Sequence, residues 1–261
     1  MQEPNLERYR ISALSKGLRV LRFVAEQDRA VSLTELSELS GIPSATLFRV
    51  LCTLELDGYL RRDANGMYLP SLSNLELGFA TLRSSGLVAL ATSLVRDLSM
   101  KLGQTVNLGV LQRDRALYLA RHQNTDLVTA HLQVGSTLPA VTTSIGKVLL
   151  AYLPEQELRE IIDENSFSEV GPNAKSDVDD LLPELQQIRQ QGWGSQNEEV
   201  ARGLRSVSAP VFDESGRAVA ALNVAVSAMT FSYEEMLEAY RDEIIAAATR
   251  LSSLLGYSRS A

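Results

Sequence analysis

Residues Ser32 to Leu51 read SLTELSELSGIPSATLFRVL, and the punctuation inside this stretch decides what the amino-terminal part of the chain becomes. Ser32 can cap a helix, and Glu35 stands three residues on, where it completes a capping box. Leu36 and Leu39 supply an inner face. Gly41 tolerates the positive φ that ends a helix, and Pro43 biases Ile42 away from helical backbone. Ser44 then starts a further helix, with Leu47, Leu51 and Leu54 inward and Val50 flanking. Two short helices around a tight corner make a helix-turn-helix.

Working outward, residues Ile11 to Ala25 carry Leu14, Leu18, Leu21 and Val24 on one helical stripe, with Val20 beside it and Ser12 as N-cap. After Gly58, Tyr59-Leu60-Arg61 and Met67-Tyr68-Leu69 read as short strands around the tight-turn pair Asn65-Gly66, closed by Pro70. Three helices and a hairpin outline a winged helix-turn-helix. From Ser71 to Lys101 the pattern is helical again, broken at Ser84-Ser85-Gly86. Val106–Leu111 and Leu117–Arg121 read as strands joined through Gln112 to Arg115, and Val128–Val134 as a third. Ser144–Leu153, Glu155–Asn165 and Asp177–Gln191 read as helices. Leu204–Phe212 and Ala218–Val226 form a hairpin, and Tyr233–Leu255 a long final helix. The reading is a two-domain α+β chain: residues 1–70 a winged helix-turn-helix, 71–85 a linker helix, and 86–261 an α+β domain of GAF- or PAS-like outline.

The formal net charge of -7 argues against a general nucleic-acid binder, but it is unevenly spread. Residues 1–80 carry nine Lys/Arg against ten Asp/Glu, and residues 81–261 sixteen against twenty-two. Between Arg10 and Arg62 there are eight basic and six acidic side chains, so the mildly positive part is the suspected reading segment. With the leucines inward, Ser44, Ala45, Thr46, Phe48, Arg49, Cys52 and Thr53 face out. Ser44 and Thr46 can donate to phosphates or bases, Arg49 can reach guanine or phosphate, and Ala45 and Phe48 can touch thymine methyls. Arg61 and Arg62 precede the hairpin tip, where a wing would lie over the DNA backbone.

The single cysteine, Cys52, excludes an internal disulfide framework and a cysteine-based zinc site. His122 and His131 are not spaced like metal ligands and read as polar structural residues; Trp193 reads as core. No stretch reaches transmembrane length and MQEPNLERYR lacks the apolar run of a signal peptide, so a cytoplasmic protein with no membrane partner is expected. A small-acid enzyme bearing an interaction domain is an alternative. Against it, there is no GxSxG elbow, metal triad, phosphate-binding glycine loop or paired acid/base site. A DNA-binding protein without a ligand is another.

The chain resembles the isocitrate-lyase-regulator (IclR) family of bacterial transcription factors over essentially its whole length. The likeness is carried by SKGLRVLRF (Ser15–Phe23), LTELSELSGIPSATLFRVLCTLELDGYL (Leu33–Leu60) and LELGFATL (Leu75–Leu82). It continues in GSTLPAVTTSIGKVLLAYLP (Gly135–Pro154) and GWGSQNEEVARGLRSVSAPVFDESGRAVAALNVAV (Gly192–Val226). The GLRS-x-x-x-P and TS-x-G-x-VLLA wording looks most like the branch controlling aromatic-acid breakdown through β-ketoadipate. The resemblance implies a repressor or activator that binds operator DNA as a homodimer or tetramer. It implies no cofactor, but a small organic acid effector, here an aromatic acid or a β-ketoadipate-type catabolite. The chain departs from the family in having Ser44 where a lysine commonly opens the recognition helix, and Arg49 as its one arginine.

Carried over by the resemblance, the effector pocket is lined by Leu127, Leu138, Ser144, Ile145, Gly146, Gln196, Ser206, Asn223 and Ala225. Gln196 stands where some relatives have an acid and Ala225 where some have serine, which points to a larger or less polar ligand than a two- or three-carbon ketoacid. Physically, Ser144, Ile145 and Gly146 open a helix whose free N–H groups favour a carboxylate, and Gly146 would let a ligand approach the backbone. Ser206 and Asn223 offer directional hydrogen bonds between apolar walls. Arg202 and Arg205 are either carboxylate partners or ion pairs of the Glu198-Glu199 run.

Overall fold

The computed structural model describes residues 6–27, 29–124, 132–167 and 171–258. They fall into two units, Met1–Ser84 and Ser85–Ala261.

In the first unit a 3-10 turn (Leu6–Tyr9) precedes α1 (Ser12–Ala25), α2 (Leu33–Ser40) and α3 (Ser44–Leu56). A hairpin of β1 (Leu60–Arg62) and β2 (Tyr68–Pro70) and then α4 (Asn74–Ser84) follow. Gly41 takes φ +65 at the end of α2, and the Ser37 hydroxyl donates to the Ile42 carbonyl at 2.7 Å, which closes the corner. At the wing tip Gly66 has φ +76, and Asp63 Oδ1 accepts from the amides of Asn65 and Met67, each at 2.9 Å. Val20, Val24, Val31, Leu36, Leu47, Leu51, Leu54, Leu60 and Tyr68 share one core. Each such leucine contributes about 1.5–3 kcal/mol by leaving water.

Four expectations change here. Of the expected stripe on α1, Val24 is buried and Leu21 packs against the core, but Leu14 and Leu18 are more than half exposed, and Val20, read as flanking, is buried in their place. Leu39 is likewise exposed. Ser32 accepts from the Glu35 amide at 3.2 Å, but the Glu35 carboxylate pairs with Arg29. Ser12 is the first helical residue; Ile11 is the N-cap and makes no side-chain cap bond.

The second unit opens with α5 (Gly86–Leu102), then β3 (Thr105–Gln112), β4 (Arg115–His122) and β5 (Thr137–Pro139). After these come α6 (Ser144–Ala151), α7 (Glu155–Ile161), a 3-10 turn (Glu164–Phe167) and α8 (Val178–Gln191). The chain ends in β6 (Gly194–Asn197), β7 (Leu204–Phe212), β8 (Ala218–Ser227) and α9 (Tyr233–Leu254). The strands form one antiparallel sheet in the order β5-β4-β3-β8-β7-β6. One sheet face packs on α5 and α9 through Val106, Leu108, Val207, Leu222, Val224, Met236 and Ile244. The other packs on α6 and α8 through Tyr118, Ile145, Val148, Leu181 and Ile188. The β3–β4 pairing carries a bulge between Leu108 and Gly109. The candidate strand Val128–Val134 lies mostly outside the described residues, and β5 and β6 are strands that the alternation of side chains did not announce.

Candidate nucleic-acid face and effector cavity

In the first unit, α3 presents Ser44, Ala45, Phe48, Arg49 and Thr53 to solvent, with Thr46 half-buried and Phe48 46% exposed. The Arg49 guanidinium has no hydrogen-bond or ion-pair partner among the described residues. Two hydroxyls are already engaged: Ser44 donates to Ser37 Oγ at 3.1 Å, and Thr53 to the Arg49 carbonyl at 2.9 Å. Thr46, Arg49 and Thr53 also edge an open, largely apolar groove of about 650 Å³ against Leu14, Leu18 and Leu21 of α1.

The two wing arginines differ. Arg61 is exposed and unpaired among the described residues. Arg62 lies over the Tyr68 ring and donates to Glu55 Oε2 from Nε at 3.0 Å and from a terminal nitrogen at 2.8 Å. That contact raises the guanidinium pKa further and offsets its charge.

In the second unit, the sheet face under α6 carries two polar rows. Arg121, Asn107, Asn223 and Ser208 are successive cross-strand partners on β4, β3, β8 and β7. The next row is Thr105, Ala225, Ser206 and Gln196. Opposite-strand side chains on one face stand close enough to bond, and they do. Arg121 donates to Asn107 Oδ1 at 2.9 Å, and Asn107 Nδ2 to Asn223 Oδ1 at 2.8 Å. Asn223 Nδ2 donates to Ser144 Oγ at 3.4 Å, and Ser144 and Ser206 hydroxyls meet at 2.7 Å. The chain of bonds runs from β4 to the first residue of α6.

Around these rows lies an enclosed cavity of about 20 Å³, lined by polar Asn107, Tyr118, Arg121, Thr143, Gln196, Ser206 and Asn223. Leu132, Leu138, Val200, Leu204 and Ala225 supply its apolar walls. The structure thus brings together Leu138, Gln196, Ser206, Asn223 and Ala225, with Ser144 bonded to two of them. Leu127 lies outside the described residues. Ile145 and Gly146 do not line the cavity. Ile145 is core, packed over Gly109, and a Cβ on Gly146 would meet the Ala140 backbone at 2.3 Å, so this glycine serves helix packing and not ligand approach. The Gly146 amide is also spent, donating to Thr143 Oγ1 at 2.9 Å. Gln196 is held from both ends of its amide, donating to the Leu204 carbonyl at 3.1 Å and accepting from the Glu199 amide at 3.0 Å.

Arg205 resolves as an ion-pair residue: it donates to Glu198 at 3.4 Å and to Asn197 Oδ1 at 2.7 Å, while Arg202 is exposed. Trp193 is half-buried against the edge of the α5–α9 core, with Arg241 over its ring. Asn107, Tyr118 and Arg121 were not anticipated in the pocket, because only strand register places them there. Among the described residues no group of three His, Cys, Asp or Glu side chains could hold a metal, and no single helix is long and apolar enough to cross a membrane.

Comparison with known proteins matches both units. Residues 13–64 match the IclR helix-turn-helix domain, and residues 79–253 the bacterial transcriptional regulator IclR C-terminal family. The chain is 31% identical over 248 residues to the HTH-type transcriptional regulator KdgR of Escherichia coli, covering 95% of this chain and 94% of that one. It is 32% identical over 243 residues to the Pca regulon regulatory protein of Pseudomonas putida, covering 92% and 83%. The crystal structure of an IclR family transcriptional regulator from Brucella abortus superposes with a TM-score of 0.79 at 25% identity, covering 97% of this chain and 95% of that one. Regulators of this kind are non-catalytic, bind operator DNA as dimers or tetramers and typically respond to small-molecule effectors. A helix-turn-helix unit followed by an α+β effector unit, matched along both, makes this chain a member of the IclR family of ligand-modulated bacterial transcriptional regulators.

Proposed function

We propose that α3 reads an operator through Ser44, Ala45, Thr46, Phe48, Arg49 and Thr53, with Arg61 and Arg62 on the flanking phosphates. An organic carboxylate held in the second unit would modulate that binding. The observation that carries the DNA half is an Arg49 unpaired among the described residues, beside a half-exposed Phe48 on the outer face of α3. An apolar ring in that position suits thymine methyls better than water. Leu14, Leu18, Leu72, Leu75, Leu77 and Phe79 are each more than half exposed, an apolar surface that suits a homodimer or tetramer in the cytoplasm. On this reading α4 is the linker helix, within residues 71–85, between a reading head of residues 1–70 and a GAF-like domain of residues 86–261.

The effector half rests on the polar rows, with Leu138, Ser144, Ser206, Asn223 and Ala225 as its centre and Gln196 on the same wall; of the other residues that the family resemblance implies, Leu127 lies outside the described residues, and Ile145 and Gly146 support the wall from behind. An aromatic acid or a β-ketoadipate-type catabolite is the ligand class we favour, supported by the likeness to the Pca regulon regulatory protein. The cavity as it stands holds about one water molecule. An acid therefore enters by moving the apolar walls apart, and a ligand that binds one packing better than another shifts the balance between them.

The test is to select binding sites from random duplex DNA, then measure affinity by fluorescence anisotropy with and without candidate acids. Arg49→Ala should weaken binding to the selected site by about tenfold or more while leaving the fold intact. Unchanged affinity and site preference would remove the reading role. Binding that no acid alters would favour a second reading, DNA recognition without a ligand, to which the small size of the cavity lends support.

A further inference from the structure

Two side chains on the effector cavity have more hydrogen-bonding capacity than the protein uses. The Tyr118 side chain is 3% exposed, and its hydroxyl has no hydrogen-bond partner among the described residues. A buried hydroxyl without a partner costs about 1–3 kcal/mol, so such groups are rare unless something else fills them. Burial also pushes the phenol well above its ordinary pKa, which keeps it a donor.

The second is Arg121. Its guanidinium is half-buried and meets no carboxylate among the described residues; its bonds there are with Asn107 Oδ1 at 2.9 Å and Gln123 Oε1 at 3.4 Å. Five N–H donors sit on a group that stays charged in any protein environment, and desolvation acts against that charge. The other cations near the cavity are already committed: Lys147 is held by Glu184 and Glu199, and Arg205 by Glu198. Among the described residues Arg121 is therefore the cation on the cavity wall that still lacks an anion. Asn107 fixes it in place, since that amide is itself held by Asn223.

We infer that Arg121 and Tyr118 form a clamp for the effector's carboxylate, the arginine supplying charge and a planar fork and the tyrosine a third donor. A guanidinium fork matches a carboxylate with two parallel bonds. The rest of the molecule then lies toward Ser206, Asn223 and Leu138, where hydroxyl or carbonyl groups find partners. With one uncommitted cation on its wall among the described residues, the cavity takes one carboxylate, so of the two ligand classes favoured above an aromatic monocarboxylic acid bearing a further polar group fits it and a β-ketoadipate-type dicarboxylate does not. The inference rests on the proposal that this cavity is the effector site, and the experiment separates the two.

The full chain is tested by thermal shift and calorimetry against acids paired with their uncharged amides: benzoate and benzamide, 4-hydroxybenzoate and 4-hydroxybenzamide, pyruvate and pyruvamide. At least one acid should raise the Tm of the wild-type chain while its amide does not. Arg121→Met should weaken that acid about thirtyfold or more, and Tyr118→Phe about fivefold. Tyr118→Phe should match or exceed the wild-type Tm without acid, because it removes an unsatisfied group, whereas Arg121→Met takes the donor from Asn107 Oδ1 and should lower it. Tyr118→Phe deletes only a hydroxyl and carries the test if Arg121→Met fails to fold.

A fall in the acid-free Tm of Tyr118→Phe would mean the hydroxyl is already partnered and would sink the clamp. An acid that binds both variants normally but not Ser206→Val leaves the cavity as the site and overturns the clamp alone. Binding that survives all three substitutions overturns both, as does failure of every acid to stabilise the wild-type chain.

Discussion

The Lys147 ammonium sits 2.7 Å from the Glu199 carboxylate and 2.6 Å from that of Glu184, with none of the lysine side chain open to solvent. The trio ties α6 to α8 and to the turn after β6, where Glu199 also donates its own amide to Gln196. Buried charges survive in a fold only when paired, and removing one partner strands the other.

Lys147→Met should therefore destabilise the second unit by about 3–5 kcal/mol, read from urea denaturation. Adding Glu199→Met should restore much of the loss, because an apolar pair of similar volume has no charge to strand. A single variant as stable as the wild type would mean that the trio is not held as described.

At Gly146 the obstacle is backbone, not a flexible side chain: an added Cβ would lie 2.3 Å from Ala140 Cα and O. Gly146→Ala should cost about 1–3 kcal/mol or more through overpacking and displace the start of α6 from the Ser144–Ser206 contact. A loss of stability together with a blunted acid response is the expected pair of results. Retention of full stability would show that α6 can ride outward without cost.

The wing arginines should separate in salt titrations. Each phosphate contact adds about one unit to the slope of log affinity against log salt. Arg61→Ala should remove about that much. Arg62→Ala should remove less, since Glu55 already offsets the charge of Arg62, and Glu55→Gln should steepen the slope. Equal slopes for the two arginine variants would discard the distinction.

The amino end of α9 is closed by a reciprocal cap: Ser232 Oγ accepts from the Glu235 amide at 3.1 Å, and Glu235 accepts from the Ser232 amide at 2.7 Å. The backbone bond from Ser232, then its hydroxyl, holds the Glu235 carboxyl below the usual glutamate range. A depressed folded pKa adds stability above the unfolded value that is lost as pH falls through the folded one. Glu235→Gln should thus be less stable than the wild type at neutral pH and converge on it in acid. Ser232→Ala should cost about 1 kcal/mol at neutral pH. Parallel pH profiles for Glu235→Gln and the wild type would refute the cap's electrostatic part.

The reading head was legible because its signals are local. Gly41, Pro43 and Asn65-Gly66 each impose a backbone geometry within a few residues. The phase of α1 was not, because Leu14, Leu18, Val20, Leu21 and Val24 support two neighbouring stripes, and the rest of the unit chooses between them. In the second unit β6, with the sequence GSQN, has no β-branched or aromatic residue and is a strand only by pairing with β7. The pocket was half legible. Ser206, Asn223 and Ala225 came from motif wording, whereas Asn107, Tyr118 and Arg121 depend on which residues of distant strands stand opposite one another.

The bulge between Leu108 and Gly109 bears on that last point. Residues three apart on a regular strand point to opposite faces. Here Leu108 faces Ala120 and Gly109 faces Tyr118, which leaves Leu119 as the extra residue, its side chain packed toward α5 and α9. The parity of β4 flips at that residue, so Tyr118 and Arg121 look out over the same side of the sheet. Deleting Leu119 would leave every residue of the cavity in the sequence and turn the tyrosine to the far face.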